Sequence, residues 1–138
     1  MTLSLDTNVF VEVIRGSRPI VRQRFREANN TGKPLAASLI VLHELYFGAE
    51  LHPNRDLQRA NVHKALSTVD VCPLDEADID ASAAVRARLR RLGSPIGPYD
   101  LLIAGQALAR GWTVVTANTR EFARIEGLNV IDWTAPAD

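Results

Sequence analysis

The sequence predicts an α/β fold in a single domain, with a parallel sheet of five short strands sandwiched between helices. Two patterns and the length carry that prediction. Five runs of three or four apolar and β-branched residues are set apart by longer stretches of helical periodicity, and strand–helix alternation is how parallel sheets are built. Gly16, Gly93 and Gly111 each close one of the helical stretches, as glycine does beyond a helix end. A length of 138 residues suits one domain and makes two improbable.

The elements follow in order. Residues 3–5 form a strand that ends at Asp6, and residues 7–15 a helix stopped by Gly16. A basic helix covers 19–29, ended by Asn29, Asn30 and Gly32. Residues 35–37 form a strand, and Ser38, a good N-cap, opens a helix to about Leu51. His52-Pro53-Asn54 breaks it, and a further helix spans 55–66. A strand at 69–72 precedes a long amphipathic helix over 75–92. Residues 95–98 are a loop, followed by a helix to about Arg110. A β-branched strand at 113–116, a short helix at 120–125 and a strand at 129–131 complete the domain. The domain is expected over 1–133, with 134–138 a disordered tail.

Composition is that of an ordinary globular protein: 46% hydrophobic, 23% charged, 16 basic against 16 acidic side chains. Disordered, collagen-like and coiled-coil classes are poorly supported. No apolar run approaches the roughly 20 residues of a membrane helix, and the N-terminal segment lacks the features of a secretory signal. The expectation is a cytoplasmic protein. Cys72, the single cysteine, allows no intramolecular disulfide and no cysteine metal cluster, and is expected to be a small core residue. The basic set is lopsided, 14 Arg to 2 Lys. Arginine favours bidentate contacts to phosphate and carboxylate. On the helix over 75–92, Val85, Leu89 and Leu92 make the apolar stripe, and Arg86, Arg88, Arg90 and Arg91 lie around its flanks. A solvated face and a contact surface for RNA phosphate or an acidic protein segment both fit them.

Most acids are unremarkable: Asp75, Glu76, Asp78 and Asp80 open a helix, where negative charge suits the dipole. Four are not. Asp6 follows the first strand. In open parallel sheets, sites form beyond the carboxyl ends of strands. Glu44 interrupts Leu39-Ile40-Val41-Leu42-His43 and Leu45-Tyr46-Phe47, a helix apolar nearly all round and so expected to be buried on most sides. Asp100 opens the equally apolar Leu101-Leu102-Ile103-Ala104-Gly105, and Glu121 follows the strand at 113–116. A buried carboxylate needs a partner, a cation or a proton. Four converging carboxylates would repel strongly and would suit a hard divalent cation with oxygen ligands. Metal-assisted phosphodiester hydrolysis is the chemistry that follows most readily.

Four blocks carry a resemblance. They are Leu5-Asp6-Thr7-Asn8-Val9, Ala37-Ser38-Leu39 through His43-Glu44-Leu45, Ile96-Gly97-Pro98-Tyr99-Asp100-Leu101-Leu102-Ile103-Ala104, and Thr116-Ala117-Asn118-Thr119-Arg120-Glu121-Phe122. In this order and spacing the chain resembles the PIN-domain ribonucleases, most closely the VapC toxins of bacterial toxin–antitoxin pairs. The resemblance implies a Mg²⁺- or Mn²⁺-dependent endoribonuclease, a homodimer, a small cognate antitoxin, and RNA as substrate, with transfer RNA a candidate. It assigns Asp6, Asp100 and Glu44 to the metal and to catalysis. Asp6 and Asp100 hold it most directly, and Glu44 ligates it or orients a water. Glu121 stands where the family usually has aspartate and would reach the metal through water. Thr116 and Asn118 would position water or phosphate. Thr7, Asn8, Arg86 and Arg90 are candidate RNA- or antitoxin-binding residues. The family often has histidine at Gln106, which is assigned no catalytic role here.

The alternative is a non-catalytic PIN-like module binding RNA or a partner through the same cleft. A zinc-protease reading fails because Phe47 stands where the second histidine belongs. A covalent aspartyl mechanism would want a second aspartate where Asn8 stands. A phosphoacceptor domain would want a lysine after a late strand, where neither Lys33 nor Lys64 lies.

Overall fold

The computed structural model describes residues 1–136. Strand β1 (Leu3–Leu5) is buried throughout and pairs in parallel on both sides. On one side lie β2 (Leu35–Ser38) and then β3 (Asp70–Cys72); on the other lie β4 (Thr113–Val115) and then β5 (Asn129–Ile131). The order is β3-β2-β1-β4-β5, all parallel, as the alternating pattern predicts. The chain builds outward from β1 to β3, then returns past β1 to build β4 and β5. That reversal leaves a crevice beyond the carboxyl ends of β1 and β4, the position where ligands bind in open α/β sheets.

Helices α1 (Thr7–Arg15), α2 (Pro19–Asn30), α3 (Leu39–Glu50) and α4 (Arg55–Leu66) connect β1 to β3 and pack on one another. Helices α5 (Glu76–Arg91) and α6 (Pro98–Arg110) form a tight antiparallel pair in the return crossover, and α7 (Thr119–Phe122) joins β4 to β5. Right-handed crossovers in opposite directions put these two groups on opposite faces. The core between them includes Leu5, Phe10, Val41, Ile103, Val114 and Phe122.

Local chemistry sets the ends. Gly16 and Gly111 take left-handed φ of 69° and 68° as C-caps of α1 and α6, a conformation that costs glycine nothing. Ser38 Oγ accepts from the Ile40 amide at 3.2 Å to start α3. Asp75 and Asp78 form a reciprocal capping box on α5. Helices α5 and α6 approach closely at Gly105 on α6, where a Cβ would come within 2.5–2.7 Å of Ser82 side-chain and backbone atoms on α5. Ser82 Oγ donates to the Leu101 carbonyl there, at 3.0 Å.

Three expectations are corrected. Helix α3 is not buried on most sides. Only Val41, Leu45 and Ala49 are buried, while Leu39 and Phe47 are exposed, Phe47 by 60%. Its neighbours α1, α4 and α6 leave the stripe Leu39, His43, Phe47 uncovered. Leu92 is the C-cap of α5 and is exposed, so the buried stripe there stops at Leu89. Cys72 is half-buried on the short strand β3, with Sγ near the Asp70 carbonyl, rather than in the core. Of the expected tail, Thr134 bonds Asp132 through its amide (2.8 Å) and hydroxyl (2.6 Å), and the Ala135 carbonyl accepts from Arg24 (2.8 Å). Ala137 and Asp138 lie outside the described residues.

Candidate active site

Asp6 leaves β1 at the crevice and caps α1. It is 5% exposed, its amide donates to the Val115 carbonyl, and its Oδ1 accepts from the Thr7 amide at 2.7 Å. Its Oδ2 accepts from Thr116 Oγ1 at 2.9 Å, across the sheet from the end of β4. Burial raises the pKa of Asp6 above the ordinary carboxylate value. The two hydrogen bonds oppose that rise and the Glu44 charge adds to it.

Glu44 reaches the crevice from α3. Thr7 Oγ1 donates to its Oε1 at 2.8 Å, so Thr7 grips Asp6 with its amide and Glu44 with its hydroxyl. Asp100 comes from the first turn of α6, which Gly97 and Pro98 start. Its pKa is pushed up to about 7 by burial first, then by the Asp6 charge, a hydrogen bond with Glu121, and the charges of Glu121 and Glu44. Every one of those causes acts in the same direction. Glu121 sits on α7, and Asn118 Nδ2 donates to its Oε2 at 2.9 Å and lies 3.5 Å from Asp100 Oδ2. The Asn118 amide in turn donates to Thr116 Oγ1 at 3.0 Å.

The six residues expected at the site, Asp6, Glu44, Asp100, Thr116, Asn118 and Glu121, therefore join one connected set. Among the described residues none of its four acids makes a salt bridge. Nor are any three His, Cys, Asp or Glu side chains there drawn into a ready-made metal cage. Thr7, Thr116 and Asn118 link the carboxylates, and Asp100 and Glu121 also share a hydrogen bond directly.

Of the remaining candidates, Thr7 belongs to this set, and Asn8, Arg86 and Arg90 lie elsewhere. Asn8 is exposed on α1 and lines a small cavity of about 160 Å³ with Arg18 and Thr134. Arg86 and Arg90 line a separate groove of about 380 Å³ on α5. Gln106 is fully buried, and its amide nitrogen donates to the Cys72 and Pro73 carbonyls, a structural duty. Sequence reasoning missed the role of Thr7, whose partner is 37 residues away and leaves no local signal. It also missed the pairing of Tyr99 with His43 at the rim, ring centroids 5.7 Å apart. Their positions directly before Asp100 and Glu44 are the signal that could have found it.

A family model described as "PIN domain" matches residues 3–128. The chain is 40% identical over 130 residues to the "tRNA(fMet)-specific endonuclease VapC" of Shigella flexneri, covering 94% of this chain and 96% of that one. It is 42% identical over 131 residues to the Salmonella typhimurium protein of the same name, with the same coverage. Among solved structures, it is similar to VapBC2 of Rickettsia felis bound to a promoter DNA fragment. The TM-score there is 0.90 at 28% identity, over 96% of this chain and 99% of that one. DNA-bound VapBC of Salmonella typhimurium gives 0.88 at 38%, over 96% and 98%.

Proposed function

The chain belongs to the PIN-domain family, and from that premise we propose that it is a metal-dependent endoribonuclease, the toxin of a toxin–antitoxin pair. The observation that carries the reading is the acid cluster itself, with four carboxylates at the switch point of a parallel sheet and, among the described residues, no arginine, lysine or histidine in a salt bridge with any of them. The donor set fits Mg²⁺ or Mn²⁺: it is all oxygen, and both ions favour carboxylate and water. An ion that keeps several of its waters suits carboxylates that are not already caged. Asp6, Asp100 and Glu44 would hold it, and Glu121 would reach it through water. Such an ion, when bound, lowers the pKa of a coordinated water and offsets charge on the phosphate.

The chain's own groups do the rest. Thr7 and Thr116 fix the rotamers of Glu44 and Asp6 by hydrogen bonds at 2.8 and 2.9 Å. Asn118 holds Glu121 beside Asp100, and its amide can orient a phosphate oxygen or the attacking water. Transfer RNA is the proposed substrate, supported by the names of the two relatives at 40% and 42% identity.

An antitoxin is the proposed protein partner, supported by similarity to VapBC structures. A surface suited to it is present. Grooves of about 370 and 590 Å³ along α1 share Ile14 and Asn61, and one of them reaches Thr7 and Glu44. For the proposed homodimer, Phe47, Leu51 and Leu57 are exposed apolar side chains that a second copy could cover. No helix among the described residues is long and apolar enough to cross a membrane, which fits the proposed cytoplasmic setting.

The test is cleavage of total cellular RNA by partner-free protein, with Mg²⁺ or Mn²⁺ against chelator and with fragment ends mapped. Discrete metal-dependent fragments that vanish with Asp100→Asn support the reading. Binding of RNA without cleavage supports the non-catalytic module.

A further inference from the structure

We propose that the groove between α5 and α6 is a backbone track for single-stranded RNA, and that Tyr99 is a base-stacking surface between that track and the carboxylates. The inference rests on the endoribonuclease reading and places substrate beyond the reacting phosphate.

The track is a matter of unanswered charge. Ile79, Ala83 and Leu102 contribute to the floor of the groove, and Arg86 and Arg90 line it. Both arginines are exposed, and among the described residues neither makes a salt bridge. Their neighbours are treated differently: Arg88 pairs with Glu126 at 2.7 Å, and Arg110 with Asp78 at 2.7 Å. Like charges one helical turn apart, with Cβ atoms about 6 Å from each other, destabilise a helix slightly. Neighbouring phosphates of a nucleic-acid strand would answer both charges at once. An apolar floor beneath them leaves room for sugars and bases.

The path from groove to acids follows from helix geometry. Each residue advances about 100° around α6. Leu102 therefore lies about 60° from Tyr99, and Tyr99 about 100° from Asp100. Groove, tyrosine and carboxylate thus come in order around the first turn. Tyr99 is 44% exposed and braced by His43, with rings inclined at 79° and the hydroxyl 3.5 Å from Nε2. An exposed aromatic on a rigid turn is the kind of surface on which single-stranded bases stack without sequence preference.

The test is binding of a fluorescein-labelled, mixed-sequence single-stranded RNA to the full chain in chelator, over a salt series. Arg86→Gln with Arg90→Gln should weaken binding about tenfold or more. It should also flatten the slope of log Kd against log salt by about 1.4, the value for two phosphates on a single strand. Tyr99→Ala should weaken binding about tenfold with the slope unchanged, and Tyr99→Phe should restore it. Unchanged affinity and slope in the arginine variant overturn the track, as does a wild type that binds no RNA. A change in sedimentation or antitoxin capture, with RNA binding intact, assigns the face to a protein partner and also overturns it. The function itself fails on a separate readout, absence of metal-dependent cleavage by the wild type.

Discussion

Two acid sites in this molecule answer the same problem in opposite ways. Asp78, near the start of α5, is 1% exposed, and Arg110 grips both its oxygens, Nη2 at 2.7 Å and Nε at 3.2 Å. Burial pushes its pKa up, but the Arg110 and Asp75 contacts outweigh burial and hold it below the ordinary value. Asp100, half-buried on the helix that also carries Arg110, has acids around it and, among the described residues, no salt bridge, and its pKa is pushed up to about 7. A buried charge demands an opposite charge. In one place an arginine supplies it, and the result is a joint that ties α5 to α6. In the other the demand is left open, and the result is a place for a cation to bind. The difference teaches which acids to regard as functional: those withdrawn from water, wholly or in part, with no opposite charge beside them.

The largest effect should come from the open site. Asp6→Asn or Asp100→Asn should lower RNA cleavage at least about a hundredfold, beyond the loss typical of residues that merely support metal ligands. Metal-free stability should hold or rise, because repulsion is relieved; fragment mapping and thermal melting in chelator check both halves. The closed site should behave in reverse. Asp78→Asn strands the Arg110 guanidinium and weakens a cap, and should cost about 2 kcal/mol of stability, read by denaturant unfolding. Its cleavage per folded molecule should be little changed. A stable Asp78→Asn or an unfolded Asp100→Asn would break the comparison.

The two sites also set opposite flanks of the pH profile. Asp78 has a lowered folded pKa, so its contribution is present above 3.8 and fades as pH falls below that value. Asp100 has a raised folded pKa, so the native state binds the extra proton. Metal-free stability then drops as pH rises from 3.8 through about 7. Melting temperature in chelator should therefore decline across that window, and Asp100→Asn should flatten the decline. A smaller effect sharpens the role of Thr7. Thr7→Val removes the hydroxyl donor to Glu44 and should lower cleavage about tenfold, while Thr7→Ser should retain it. Initial rates at saturating metal measure this.

The fold was largely legible because its signals are local. Strand–helix alternation, Ser38 as cap, and Gly16 and Gly111 as stops each sit within a few residues of what they determine. Strand ends pointed to Asp6 and the residues after Val115 for the same reason. Glu44 was found on an argument the structure does not uphold, since α3 is half open to solvent. It belongs to the site because Thr7 on α1 holds it there, and such a contact across the chain has no local trace. Asp78 shows the same blindness from the other side. It read as an ordinary dipole acid because its arginine lies 32 residues on, in the next helix.

The most direct test of the central claim, that this cluster is a cation site held open by its own repulsion, is calorimetric titration of metal-free protein with Mn²⁺ at pH 7. It would be run in two buffers of different ionisation heat. Binding must expel the proton that Asp100 shares in the metal-free state. With a pKa of about 7, the account predicts release of about half a proton per ion, abolished in Asp100→Asn. No binding, or binding that releases no proton and survives that substitution, would contradict it.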